Sequence, residues 1–134
     1  MSTFVLVHGS WVGGWSWQRV APHLRAAGHD VVTPTLTGLG ERSHLLRRDV
    51  GLDTHVQDIV NVLEFEDLHE VILLGNSYGG LVVTGVAERV PHRVARLVYL
   101  DAWFPIDEDR SMAALGRRYQ PGFLDPLEAL TQTH

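Results

Sequence analysis

The sequence predicts an α/β protein built on a doubly wound, mostly parallel sheet with helices on both faces. Three observations predict it. Three short runs, Thr3 to Val7, Val71 to Leu74 and Val94 to Leu100, read as strands, and Val71 to Leu74, without polar alternation, as one buried on both faces. Segments with apolar residues at helical spacing alternate with these runs along the chain. The central run ends in Gly75-Asn76-Ser77-Tyr78-Gly79, a G-x-S-x-G pattern placed between a strand and a helix.

That pattern organises the rest. A strand that reverses into a helix within so few residues forces Ser77 into a strained backbone, with its side chain standing clear of the sheet. Gly75 and Gly79 are expected because a β-carbon at either place would strike the crossing backbone.

Taken in order, Thr3 to Val7 runs into the loop His8-Gly9-Ser10-Trp11-Val12-Gly13-Gly14. A helix is expected from about Ser16 to Ala27, with Trp17, Val20, Leu24 and Ala27 on one face, Gly28 as a stop, and Pro22 either starting or kinking it. Asp30 to Thr33 is a short strand ended by Pro34, and Thr35 to Leu52 reads as a long loop of the kind that usually carries function. Thr54-His55-Val56-Gln57 has the form of a capping box, opening a helix whose Val56, Ile59, Val60 and Leu63 share a face. The helix from Tyr78 closes at Pro91, and the fourth strand ends at Asp101. From Asp107 to His134 the chain is more charged and is broken by Pro121, Gly122 and Pro126, as expected of a small helical insertion. Doubly wound sheets place the second strand beside the first, then the third and fourth. The crevice where the strand order reverses is then flanked by His8–Gly14 and Gly75–Gly80, so both unusual loops fall at one place.

A chain of 134 residues with 45% apolar and 20% charged residues fits a single globular domain. A net charge of -5 without a basic run argues against nucleic acid or anionic membrane as partner. Zero cysteines exclude disulfides and thiolate metal sites. With no leader or long apolar segment visible, the expectation is a cytoplasmic protein. Histidines and carboxylates lack the spacing of a metal site, and the glycines lack a phosphate-loop pattern, so no metal and no cofactor is expected.

A serine hydroxyl needs a base, a group to orient the base, and donors for an oxyanion. The donors are legible: the N–H of Tyr78, which follows the serine, and an N–H from the loop after the first strand, assigned to Ser10. Trp11 and Trp103 follow strand ends at the same rim and are candidates for an apolar acyl or aryl pocket, whereas core packing is the ordinary role of Trp15 and Trp17. The base is not legible. His92 lies beyond a helix of about 13 residues, roughly 20 Å away at the opposite rim; His134 sits on an unsupported terminus. His8 is more naturally a brace for its loop than a base, and His23, His29, His44, His55 and His69 read as surface or satisfied packing. Asp101 could orient a base, though a strand-end hydrogen-bond acceptor is its plainer role.

Four segments, Phe4 to Trp11, Thr33 to Arg42, Gly75 to Gly80 and Leu97 to Ala102, resemble the α/β-hydrolase superfamily, especially small bacterial esterases related to plant methyl-ester esterases and hydroxynitrile lyases. The resemblance covers about residues 3 to 106. It implies a cofactor-free serine hydrolase of small, often aromatic, carboxylic esters, with Ser77 as nucleophile and the amides of Ser10 and Tyr78 as oxyanion hole. Residues 1–106 would be a partial core, and residues 107–134 the start of a helical cap. Many relatives have histidine where this chain has Asn76. The family carries its catalytic acid and histidine on later strands, so neither role falls on a position here, and the chain is expected to be the N-terminal half of a longer hydrolase. The apolar edge at Val94 to Leu100 is then expected to be covered by the remaining C-terminal half or by a second copy. The alternatives are a hydroxynitrile lyase and a noncatalytic binding module.

Overall fold

The computed structural model describes residues 1–102; Trp103 and the expected cap segment 107–134 lie outside them. Four parallel strands, β1 (Thr3–Val7), β2 (Asp30–Val32), β3 (Val71–Ser77) and β4 (Val94–Ala102), stand in the order β2-β1-β3-β4 expected from the sequence. The chain steps outward from β1 to β2 and returns past β1 to β3. Right-handed crossovers therefore place α1 (Ala21–Ala26) on one face and α2 (Leu52–Phe65) and α3 (Gly79–Arg89) on the other.

Strand alternation decides what is buried. Val5 and Val7 of β1 and Val71 and Leu73 of β3 point into a core closed by Val56, Ile59, Val60 and Leu63 of α2 and by Leu81, Val82, Val83 and Val86 of α3. Burial of side chains of this size stabilises by about 1.5–3 kcal/mol each. On the other face Leu6 is buried but Ile72 and Leu74 are only half-buried, so among the described residues β3 is fully covered on one side rather than both.

Three local expectations are corrected. The helix expected over 16–27 is broken into a 3-10 turn at Gly14–Trp17 and the shorter α1, because Pro22 lacks the N–H that would join them and instead sits in the first turn of α1. Val20, placed on the buried face by its spacing, is 43% exposed as a result. Helix α2 begins earlier than Thr54: Gly51 is its N-cap, and the Thr54 hydroxyl reaches back to accept the Gly51 N–H at 3.2 Å. The segment after β2 is not structureless, since Gly40–Leu45 forms 3-10 turns. Gly28 ends α1 as expected, with φ +93° and with the His29 N–H returning to the Leu24 carbonyl.

Candidate active site

Ser77 is the last residue of β3, half-buried, with φ +53°. A serine rarely takes that left-handed conformation, which costs about 1–3 kcal/mol and persists only where the surroundings impose it. The surroundings are backbone. A β-carbon on Gly75 would collide with the Gly79 carbonyl, and one on Gly79 would lie 2.5 Å from the Val7 oxygen and 2.9 Å from that of His8. The end of β1, the end of β3 and the start of α3 are thus in contact beside Ser77, and Tyr78 caps α3 with its side chain fully buried.

The loop after β1 meets the same point. A β-carbon on Gly9 would lie 3.0 Å from Ser77 Cβ and 3.4 Å from the Asn76 carbonyl oxygen, so the loop that carries Ser10 touches the end of β3. The Ser10 Oγ is buried with no hydrogen-bond partner among the described residues. Trp11 follows with φ +72° and is 46% exposed at the rim, while Trp15 is exposed and Trp17 is buried. The structure therefore places Gly9, the residue before Ser10, against Ser77, with Tyr78 next in the chain after the serine and Trp11 two residues beyond Gly9; Trp103 is not described.

Two histidines are fully buried beneath this rim. His8 Nδ1 donates to the Gly9 carbonyl at 2.7 Å, which leaves Nε2 to accept the Leu36 N–H at 3.0 Å. Both ring nitrogens are committed, so His8 braces its loop. His55 of α2 donates from Nε2 to the Thr37 carbonyl at 2.8 Å and accepts the Tyr78 hydroxyl at Nδ1 at 2.7 Å. Burial holds both imidazoles below their ordinary pKa and raises the Tyr78 phenol well above its own. His92 lies just before β4, whose Val94 pairs with Val71, so at ~3.3 Å per residue it is roughly 20 Å from Ser77.

The segment after β2 is stitched to the rim. Thr35 accepts the Gly14 N–H at 2.8 Å and donates to Glu41 at 2.7 Å, and Arg42 donates to the Thr35 carbonyl at 2.9 Å. The Thr35 hydroxyl bond is the main cause that lowers the Glu41 pKa. Thr37 gives both its N–H and its hydroxyl to the Asp58 carboxylate, at 2.7 and 2.8 Å. Sequence spacing did not reveal these partners. The available signal was that His55 lies one helical turn from Ile59, on the core-facing side of α2.

On the far side of Ser77, Asn76 donates from Nδ2 to the Leu100 carbonyl at 2.8 Å, tying β3 to β4. Asn76 pairs with Leu100 and Ser77 with Ala102, so Asp101 is an extra residue in β4 with φ +46°. The fourth strand does not end at Asp101 as expected; it bulges there, beside the elbow.

Residues 4–132 match the model of a family described as the alpha/beta hydrolase family. A carbendazim hydrolyzing esterase of Nocardioides sp. is 50% identical over 121 residues, which is 90% of this chain and 50% of that protein. An alpha-hydroxynitrile lyase of Arabidopsis thaliana is 32% identical over 103 residues, 76% of this chain and 40% of that one. Among solved structures, an extracellular alpha/beta-hydrolase from a Paenibacillus species, described as sharing structural and functional homology with tobacco salicylic acid binding protein 2, aligns with a TM-score of 0.74 at 38% identity. That alignment covers 80% of this chain and 43% of the other. The chain spans about half the length of the curated relatives it matches. With the parallel sheet, the strained serine and the glycine-spaced loops already in place, these matches show that the chain belongs to the alpha/beta hydrolase family.

Proposed function

We propose that this chain forms the nucleophile and oxyanion half of a serine esterase acting on small carboxylic esters. The observation that carries the proposal is the left-handed Ser77 held between the Gly9–Ser10 loop and the start of α3. In this reading Ser77 Oγ attacks the ester carbonyl, the proton leaves to a base, and the amides of Ser10 and Tyr78 receive the developing oxyanion. The acyl-enzyme is then hydrolysed. Each oxyanion donor supplies about 2.7–4 kcal/mol in acyl-transfer enzymes generally. The positive end of α3 adds to the same charge.

Acid and base come from the remaining C-terminal half of the fold, on strands that pair beyond β4, and residues 107–134 begin a cap over the pocket. Residues 1–106 then form the partial core. The exposed Tyr99 and Leu100, 39% and 49% accessible, favour such a neighbour for β4. Trp11 lines the acyl or aryl pocket, with Trp103 as its companion. The esterases among the relatives favour small ester substrates. No described helix is long and apolar enough to cross a membrane; a cytoplasmic location is part of the proposal.

A second reading, cyanohydrin cleavage, is favoured by the hydroxynitrile lyase relative. Kinetics of the full-length protein separate the two. Aryl carboxylic esters should turn over faster than cyanohydrins, and Ser77→Ala should abolish ester turnover; the opposite preference would reject the esterase.

A further inference from the structure

Both candidate oxyanion donors are tied to one dipeptide. Leu36 gives its N–H to His8, whose own Nδ1 holds the Gly9 carbonyl, the peptide oxygen immediately before Ser10. The next residue, Thr37, receives the Nε2–H of His55, whose Nδ1 in turn accepts the Tyr78 hydroxyl. Thr37 is itself fixed, because its N–H and hydroxyl both end on Asp58 of the same helix as His55. We infer that His8 and His55 are positioning residues, and that through them the Leu36–Thr37 peptide sets the distance between the Ser10 and Tyr78 amides.

The inference rests on the reading of Ser77 as nucleophile and goes beyond it by assigning a role to side chains that never reach the substrate. Buried hydrogen bonds of known direction hold their partners closely, and a gap of a few tenths of an ångström at an oxyanion site is enough to weaken catalysis. The links are specific to this task. An ordinary core position would be filled by an apolar side chain, whereas here each imidazole uses one donor and one acceptor to join two different chain segments, His8 through two backbone groups and His55 through the Thr37 carbonyl and the Tyr78 hydroxyl. Neutral rings are required for that arrangement, and burial supports them.

The test uses the full-length protein and Tyr78→Phe, which removes the hydroxyl and leaves the ring and the amide in place. The expected result is a kcat about tenfold lower with KM within twofold. Affinity for a trifluoromethyl ketone, which forms the tetrahedral adduct, should fall by about the same factor, while affinity for the matching methyl ketone is unchanged. His55→Ala should show the same pattern, and the double variant should be no worse than either single one, because both break one link. His8→Ala should repeat the pattern from the Ser10 side. Should His55→Ala fail to fold, Tyr78→Phe decides for that link; should His8→Ala fail to fold, His8→Phe, which fills the same space without either hydrogen bond, decides for the other. With Ser77→Ala inactive, a Tyr78→Phe protein of ordinary kcat and ordinary trifluoromethyl ketone affinity overturns the inference and leaves the esterase reading intact, as would multiplying effects in the double variant. Full activity in Ser77→Ala would instead overturn the esterase reading and the inference with it.

Discussion

Gly9 stands against Ser77 so closely that a β-carbon added to it would lie 3.0 Å from Ser77 Cβ. The contact joins two segments separated by most of the described chain, and it leaves room for a hydrogen and little else. Gly9→Ala is therefore expected to push Ser77 by a few tenths of an ångström while costing only about 1 kcal/mol of stability, at the low end of overpacking. Turnover of an aryl ester by the full-length protein should fall about tenfold with an unchanged melting curve to within a few degrees. Unaltered kinetics would show that the loop does not constrain the serine.

Glycines elsewhere should answer differently. At Gly79 the added β-carbon would meet the carbonyl oxygens of Val7, the last residue of central strand β1, and of His8 just after it, which cannot move aside. Gly79→Ala should cost about 3 kcal/mol or more. Gly28 has nothing within 4 Å but a φ of +93°, so Gly28→Ala should cost only the conformational penalty of about 1 kcal/mol. Denaturant midpoints for the two variants check the order; equal losses would contradict it.

Acid should loosen the fold in a defined window. His8 and His55 are held below the ordinary imidazole value chiefly by burial; Glu41 opposes this at His8 and Asp58 at His55, while His8 and Arg42 add to the lowering at His55. In the unfolded chain both protonate near pH ~6.5. As pH falls below that value the unfolded state takes up protons first, so stability is full above about 6.5 and declines until the lower folded values are passed. Glu41 and Asp67, also held below their ordinary values, add their loss only at lower pH. Melting temperature should be flat from pH 8 to 7 and fall from 6.5 toward 5, and His55→Gln should reduce the fall. A flat profile through pH 5 would contradict two buried neutral histidines.

Sheet order and the strand–Ser77–helix junction were legible in the sequence because both rest on local patterns. Apolar runs of strand length, helical spacing between them and a serine bracketed by glycines are all read within a few residues. What escaped was set by partners distant in the chain. His55 meets Thr37 and Tyr78 across 18 and 23 residues, and no periodicity encodes that pairing. Thr54 looked like a cap and is the residue three positions inside one, since Gly51 took the extended conformation that ends the loop. The helix before β2 was overread because apolar spacing continued through Ser16 to Ala27, while the missing N–H of Pro22 divided it. The Asp101 bulge depends on register between β3 and β4, which a single strand's sequence does not state.

The most direct measurement is covalent labelling of the full-length protein with a fluorophosphonate, followed by digestion and tandem mass spectrometry of the adduct. The account predicts one phosphonyl group per chain, on Ser77, with labelling abolished in Ser77→Ala. An adduct on another serine, or an unlabelled folded protein that still hydrolyses esters, would contradict it.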